Sequence, residues 1–233
     1  MSKITILITA YKDRGWINEA ILSAKNQLMF KDYDILFAAD GNPELISYSE
    51  KHDIPFINFP KSNYASMVNQ AMNYVKGEWV KVLHDDDILS STCLVDLYNA
   101  RSDVDLVYGN ALCFNNDDMA VVHQYKPPSV VTIKTLLPIG NNPVNFEAEL
   151  FRRDMFIDVG GFDPKLGYAE DYDFLLNLLS KGYKVTYCDK DVVWYRHHPR
   201  QITGNEPEMR QNEHNYLQSK YMNLIINQIE WSV

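Results

Sequence analysis

Trp79-Val-Lys-Val-Leu-His-Asp-Asp-Asp-Ile-Leu89 is a short apolar run that ends in three adjacent carboxylates. The apolar part predicts a buried strand. Because neighbouring carboxylates repel one another, a fold keeps them on a solvated loop or around a cation. Hard oxygen ligands suit Mg2+ or Mn2+. In an open α/β sheet, ligands bind beyond the carboxyl ends of the strands, where these acids are expected. The alternative is an acidic surface loop that caps the following helix.

The first ninety residues alternate predicted strands and helices. Apolar runs predict strands at residues 4–9, 34–39 and 55–59, before the strand that starts at Trp79. Helical spacing predicts helices at residues 16–28, 44–51 and 64–75. This alternation predicts a parallel sheet whose strands are joined by crossover helices.

The second half of the chain predicts shorter strands and fewer helices. Strands are expected at residues 106–108, 111–115, 120–125, 146–151, 183–188 and 192–195. Helices are expected at residues 154–159 and 170–181. The tail is polar at first and then forms an amphipathic helix, from Tyr216 to Ile229.

Composition narrows the class of protein. With 233 residues, 46% of them hydrophobic, the chain can bury a sizeable core in one domain. A net charge of −9 argues against general nucleic-acid binding. Three scattered cysteines form no disulfide or metal-binding pattern, so we expect a reducing compartment. No apolar stretch approaches the ~20 residues of a membrane span, so we expect a cytoplasmic protein, either free or peripheral to the membrane.

Five segments, in order, resemble the family 2 glycosyltransferases of GT-A fold, from Ile4 to about Thr203. They are Ile6–Tyr11 (opening strand), Ile35–Gly41 (second strand and acidic turn), Val82–Asp87 (DXD strand), Gly160–Asp163 with Ala169–Asp173 (acceptor loop and ED motif), and Tyr195–His198 (closing basic segment). Each segment alone is common among proteins, but five such segments in this order are specific to the family. The resemblance implies an inverting enzyme that uses a nucleotide sugar.

The resemblance also implies an architecture. It is an α/β, Rossmann-like nucleotide-diphospho-sugar transferase fold, with a mostly parallel central sheet, helices on both faces and a C-terminal amphipathic helix. Residues 1–205 would form one domain, with a nucleotide-sugar and metal half (1–100) and an acceptor half (101–205). Residues 206–233 would form a helical tail.

In the family, a divalent ion neutralises the charge that develops on the departing diphosphate, which here implies Mn2+ or Mg2+. Asp85 and Asp87 match the family's pair of ligating acids, which are separated by one intervening residue. The family's usual Leu-Asp-x-Asp-Asp alignment instead places His84 at the position of the first acid. We favour Asp87 as the metal ligand, with Asp85 and Asp86 in support through the ribose or water. His198 matches a histidine that approaches the metal or the diphosphate, unless it lies on a surface loop.

The nucleotide base is expected at the ends of the first two strands. By resemblance, Asp40 accepts a hydrogen bond from a pyrimidine ring N–H, and Thr9-Ala10-Tyr11 frames the same base. A carboxylate accepts and uracil donates, so a UDP-sugar is favoured. The family commonly has two acids before the glycine, whereas this chain has Ala39, and a plain Asp40-Gly41 turn is the alternative.

Asp171 is the expected general base, with Glu170 as second choice. Inverting transfer needs a carboxylate that faces the acceptor hydroxyl. Both acids begin a predicted helix, where carboxylates are also favoured as caps. Asp173 lies two residues on and is expected to be structural. Gly160-Gly161 either permits close approach of the acceptor or ends the preceding helix.

Two other functions stay open from the residues. A sugar-phosphate nucleotidyltransferase would need a Gly-rich phosphate loop, and Lys12-Asp13-Arg14-Gly15 has only one glycine. A non-catalytic protein could bind nucleotide sugars or saccharides, although the acids at positions 87 and 171 argue for turnover. The acceptor is a saccharide or another hydroxyl-bearing molecule. Small size favours transfer of a single sugar, and the C-terminal helix could pack on the domain or join two copies in a homo-oligomer.

Overall fold

The amino-terminal half alternates strands and helices as predicted. The computed structural model of the chain describes residues 2–139, 142–199 and 207–230. Its first strands are β1 (Ile4–Ala10), β2 (Tyr33–Asp40), β3 (Phe56–Phe59) and β4 (Trp79–His84). The helices between them are α1 (Ile17–Lys25), α2 (Ile46–His52) and α3 (Tyr64–Ala71).

The second half adds five strands and five α-helices within the described ranges. The strands are β5 (Ile88–Leu89), β6 (Leu106–Asn115), β7 (Val121–Tyr125), β8 (Glu149–Arg152) and β9 (Val185–His197). The helices are α4 (Cys93–Ala100), α5 (Ile133–Leu136), α6 (Arg153–Asp158), α7 (Glu170–Ser180) and α8 (Pro207–Glu230). None of these helices is long and apolar enough to cross a lipid bilayer.

One sheet runs through the domain in the order β3-β2-β1-β4-β8-β6-β9-β5, with β7 beside β6. β1 pairs in parallel with both β2 and β4, and β2 pairs in parallel with β3. The longest pairing of the second half, β6 with β9, is also parallel, whereas β5, β7 and β8 form short antiparallel pairs. The mostly parallel α/β architecture is therefore confirmed.

The sheet separates two apolar cores because side chains alternate between its faces. Leu7, Val80 and Val82 point to the face covered by α3, α6, α7 and α8. Ile6 and Leu83 point to the opposite face, which α1, α2 and α4 cover. Because β1, β2 and β4 run parallel, their carboxyl ends lie together at one edge of the sheet, which the helices on the two faces leave uncovered.

Several predicted elements of the second half have different bounds. The predicted strands at 106–108 and 111–115 form one strand, β6. Those at 183–188 and 192–195 merge into β9, which starts only at Val185, because β6 and β9 pair along most of their length across register shifts near Asn110. Phe146–Ala148 is a 3-10 turn, and the strand starts only at Glu149. The helix α4 was not predicted.

The C-terminal helix is longer than the sequence predicts and packs on its own domain. It starts at Pro207, although the predicted start of the tail at residue 206 lies outside the described residues. Leu217 and Tyr221 are buried in the core, whereas Tyr216 is exposed. The side chains from residue 225 onward, which include two members of the predicted apolar stripe, lie outside the described ones.

Candidate active site

A cleft of 790 Å3 opens at the carboxyl ends of β1, β2 and β4. Nine of the ten predicted site residues line this cleft, which they reach from both halves of the chain. They are Thr9, Ala10, Tyr11, Asp40, Asp85, Asp86, Asp87, Glu170 and Asp171. The structure thus brings the residues predicted to bind the nucleotide and the predicted general base, Asp171, into one cavity.

The first two acids of the triplet are held by Arg14, which no sequence motif indicates as a site residue. Arg14 Nη1 donates to Asp85 Oδ1 over 2.8 Å and to Asp86 Oδ2 over 3.1 Å. The guanidinium and the Asp85 carboxylate are both almost completely buried. Burial and the neighbouring Asp86 raise the pKa of Asp85 to about 7, against the opposing effect of Arg14. Arg14 therefore keeps two like charges side by side in the cleft wall.

His198 lies behind the triplet. Its Nε2 is 3.1 Å from Asp86 Oδ2, and its ring contacts the Trp16 ring with centroids 4.6 Å apart. The neighbouring Arg196 backbone N–H donates to Asp87 Oδ1 over 2.6 Å. Antiparallel pairing of β5 with β9, Ile88 opposite Trp194, creates this contact. The structure thus places His198 against Asp86, and its role as a metal ligand stays a prediction.

Asp87 belongs to a second buried group. One ligand atom each from His84, Asp87 and Glu147 lie within 4.8 Å of one another. Glu147 Oε1 accepts from the His84 backbone N–H over 2.6 Å, and its Oε2 is 3.3 Å from His84 Nδ1. Burial and the Glu147 carboxylate raise the pKa of Asp87 well above its usual range. Burial beside a second carboxylate therefore disfavours the charged form of Asp87 unless a cation is present.

A divalent ion fits this group. Two buried carboxylates and an imidazole are the oxygen and nitrogen ligands that Mn2+ accepts. The Oε2 atom of Glu147 and the Oδ2 atom of the nearby Asp85 are both buried without a hydrogen-bond partner. A cation would stabilise the charged form of Asp87 and satisfy such oxygens. The family alignment had placed His84 at an acid position, whereas nothing in the sequence pointed to Glu147.

The predicted base-binding acid is already engaged. Asp40 Oδ2 accepts from Lys61 Nζ over 2.7 Å, and its Oδ1 accepts from the Ser62 backbone N–H over 2.7 Å. Gly41 has φ +71°, and a Cβ there would lie 2.6 Å from Lys61 Cβ. The Asp40-Gly41 turn is therefore shaped by the β3–α3 loop, and a base would compete with Lys61 for the carboxylate.

Tyr11 is surrounded by positive charge. The cationic groups of Lys12, Arg14 and Lys61 lie 5.1, 4.6 and 5.2 Å from the centre of its ring. Burial acts to raise the pKa of Tyr11, but hydrogen bonds and charge from Lys12 and Arg14 lower it. This corner of the cleft is the part suited to a phosphate-bearing ligand.

Asp171 is fixed at the opposite wall. Its Oδ2 accepts from Asn142 Nδ2 over 3.0 Å, and its Oδ1 accepts from the Tyr172 backbone N–H over 2.6 Å. Burial raises the pKa of Asp171 to about 6, and that of Glu170 to about 7. A carboxylate with a pKa near the working pH is suited to general base catalysis.

Asp173 contacts the C-terminal helix instead of the cleft. It accepts from Lys220 Nζ over 2.6 Å and from the Tyr221 hydroxyl over 2.7 Å. The expectation that Asp173 is structural agrees with these contacts. Gly161, with φ +69°, packs against Asn69, whose side chain bonds both backbone groups of Phe162. Gly160-Gly161 thus ends α6 and docks on α3, and neither glycine lines the cleft.

The loop before Asp171 is held by a residue of α8. Glu213 accepts from the backbone N–H groups of Gly167, Tyr168 and Ala169 over 2.8, 3.0 and 2.8 Å. Arg210 and His214 of the same helix line the cleft. The polar start of the tail concealed this role, because no local pattern shows which loop a helix will meet.

Known proteins resemble the chain in both sequence and fold. Residues 5–160 match the sequence profile of Glycosyl transferase family 2. An uncharacterized glycosyltransferase of Haemophilus influenzae is 23% identical over 95% of this chain and 78% of its own length.

Two solved structures share the fold. TarS of S. aureus in complex with UDP-GlcNAc has a TM-score of 0.65 at 14% identity, over 95% of this chain and 72% of its own. A mannosyltransferase of Pyrobaculum calidifontis in complex with GDP-Man and Mn2+ has a TM-score of 0.65 at 15% identity, over 95% and 64%. Identities this low show the fold alone.

Proposed function

Because the chain belongs to glycosyl transferase family 2, we propose that it transfers one sugar, with inversion, from a nucleoside diphosphate sugar to an acceptor hydroxyl. A UDP-sugar is the favoured donor. The observation that carries the proposal is the shared cleft, in which the ends of β1, β2 and β4 face Asp171. Family membership favours a glycosyltransferase over the nucleotidyltransferase and the non-catalytic binder.

In this proposal the donor lies along the amino-terminal wall of the cleft. Thr9, Ala10 and Tyr11 frame the base, and Asp40 accepts from its ring N–H in place of Lys61. Lys61, so released, and Lys12 can turn to the diphosphate. Asp87, with Glu147 and His84, would hold Mn2+ or Mg2+, which neutralises the charge of the leaving diphosphate when bound. Asp85 and Asp86, held by Arg14, support this wall.

Asp171 takes the proton of the acceptor hydroxyl in the proposed reaction. Its hydrogen bonds to Asn142 and to the Tyr172 backbone fix the carboxylate on the acceptor side of the cleft. The hydroxyl oxygen attacks the anomeric carbon, the bond to the diphosphate breaks, and the configuration inverts. Glu170, one residue earlier, has a higher pKa and is the weaker candidate for this role.

The test is a screen of UDP- and GDP-sugars with Mn2+ against saccharide acceptors, read by mass spectrometry and by the anomeric configuration of the product. Asp171→Asn should lower transfer by roughly 10²- to 10⁴-fold and leave donor affinity unchanged. Asp154→Asn, an 88% exposed acid on α6, is the matched control. Retained configuration, or full transfer by Asp171→Asn, would overturn the assigned mechanism.

A further inference from the structure

Three side chains that the proposed reaction does not use converge on the wall of the candidate active-site cleft. One ligand atom each from Cys113 on β6, His123 on β7 and His197 on β9 lie within 4.8 Å of one another. We propose that Cys113, His123 and His197 form a second metal site, which takes a borderline-soft divalent ion such as Zn2+. This site is separate from the carboxylates of the Asp87 group and does not depend on the proposed transfer reaction.

Strand register creates the site. Cys113 lies directly opposite His123 in the antiparallel pair β6–β7 and opposite Tyr195 in the parallel pair β6–β9. His197 lies two residues beyond Tyr195, so it faces the same side of the sheet. The three positions come from neighbouring strands of one sheet, a rigid support. More than eighty residues of sequence separate Cys113 from His197, so no short spacing motif indicates that the three residues form a group.

The ligand set distinguishes between kinds of metal. Thiolate sulfur and imidazole nitrogen are ligands that Zn2+ accepts, whereas Mg2+ and Mn2+ prefer oxygen ligands. Zinc binds sulfur at ~2.3 Å and nitrogen at ~2.0 Å, which puts tetrahedral ligand atoms about 3.5 Å apart. The ligand atoms, which lie within 4.8 Å of one another, therefore have to approach by about 1.3 Å at most. His123 and His197 are both exposed, so rotation of their side chains can close that distance around the buried Cys113.

The two imidazoles have no competing polar partner in the described part of the chain. Their rings contact each other, with centroids 6.0 Å apart, and contact Tyr125 and Tyr195. Neither ring forms a hydrogen bond or ion pair within the described ranges. A metal ion would therefore break no existing polar interaction of these histidines. On binding, the Cys113 thiol gives its proton to solvent and the sulfur bonds the metal.

The site leaves one position open. All three side chains line the 790 Å3 cleft, and three protein ligands of a tetrahedral ion leave its fourth position to water or to a ligand in the cleft. This is the arrangement of an accessible ion rather than of a closed structural one. A hydroxyl or carboxylate oxygen of a molecule in the cleft can occupy that position.

Cobalt tests the site, because Co2+ bound by a thiolate gives a sulfur-to-metal charge-transfer absorption in the near ultraviolet. Titration of the full chain with Co2+, with Mn2+ present in excess, should give this absorption at one equivalent, and Zn2+ should abolish it. His123→Gln and His197→Gln should each weaken Co2+ binding at least ~10-fold, the loss seen for outer-shell partners alone. Cys113→Ser should lose the absorption.

Two controls separate the alternatives. Cys188→Ser changes another free cysteine, whose sulfur contacts the Asp96 carbonyl, and should leave the absorption intact. Asp87→Asn should also leave it intact, which distinguishes this site from the carboxylate group. Absence of the absorption in the wild type, or its persistence at full affinity in both histidine variants, would overturn the proposal. The exposed histidine variants keep the test valid if Cys113→Ser fails to fold.

Discussion

The protonation of single carboxyl groups sets the electrostatics of the cleft. Burial raises the pKa of Asp85, Glu170 and Asp171 to about 7, 7 and 6, and it also raises the pKa of Asp87 well above its usual range. Arg14 offsets part of the negative charge. Near neutral pH the cleft can therefore exchange protons with a substrate, which is what a general base at Asp171 requires.

The pH dependence of transfer should report Asp171. A general base must be unprotonated, so kcat/KM should fall about tenfold per pH unit below pH 6 and level off above it. Because the Asn142 hydrogen bond lowers the pKa of Asp171, Asn142→Ala should move this acidic decline in kcat/KM to higher pH. Rate profiles of both proteins check the shift. If the decline does not move in Asn142→Ala, it reports the titration of another group.

Gly161 should be far less tolerant of alanine than its neighbour Gly160. Both residues have positive φ, 96° at Gly160 and 69° at Gly161. A Cβ at Gly160 would meet nothing within 4 Å, whereas a Cβ at Gly161 would lie 2.4 Å from Asn69 Oδ1. Gly160→Ala should lower the free energy of unfolding by about 1–2 kcal/mol. Gly161→Ala should add an overpacking loss of about 1–3 kcal/mol. Urea denaturation of the two variants measures the difference, and equal losses would contradict the docking role of Asn69.

At the scale of secondary-structure elements, α8 connects the core to the wall of the cleft that carries Asp171. Leu217 and Tyr221 anchor the helix in the core, and Glu213 binds the three backbone N–H groups just before α7. The helix therefore stabilises the backbone from which Asp171 projects. The sequence leaves open whether this helix packs on its own chain or on a second copy, and in the structure it supports one wall of the cleft.

Glu213→Gln should destabilise the chain and slow transfer. The amide keeps one acceptor oxygen but loses the charge-assisted bonds, at a cost of about 1–3 kcal/mol in the free energy of unfolding. The turnover number should fall more than donor affinity, because the loop before Asp171 loosens. Glu208→Gln, an exposed residue on the same helix, should change stability by no more than about 0.5 kcal/mol. Matched losses in the two variants would contradict this role of Glu213.

At the scale of the whole molecule, the cleft joins residues from distant parts of the chain. Pairing of β5 with β9 brings Arg196 to Asp87, and Lys81, buried in β4, donates to the backbone carbonyl of Glu147. A ligand that fills this cleft contacts elements of both halves. Binding should therefore stabilise the folded domain as a unit.

Donor and Mn2+ together should raise the unfolding temperature. At a free donor concentration of 100 times Kd, binding adds about 2.7 kcal/mol, which for a chain of this size is roughly 5–10 °C. Asp87→Asn should remove the Mn2+-dependent part of the shift. Differential scanning calorimetry with UDP- and GDP-sugars, with and without Mn2+, measures it. A shift that is equal with and without Mn2+ would contradict a metal-assisted donor site.

Local patterns were enough to predict much of this protein. Alternating apolar runs and helical spacing predicted the β1–β4 half, because buried parallel strands and amphipathic helices each have a distinct periodicity. Five short segments in order indicated the family, which the match over residues 5–160 confirms. Nine of the ten predicted site residues line the cleft, since the carboxyl ends of parallel strands meet at one edge. Their individual roles stay predictions.

Only the tertiary structure decided which partners these residues have. Arg14, Lys61, Glu147 and Glu213 reach their carboxylates or backbone groups across 21 to 71 residues of sequence, and no local period encodes such separations. The same holds for the continuous strands β6 and β9, whose pairing merges runs that look separate in the sequence. The sequence by itself determined the fold and the edge at which the site forms, because these follow from local periodicity. Packing between distant segments decided the ion pairs, the pKa values and the group of Cys113, His123 and His197.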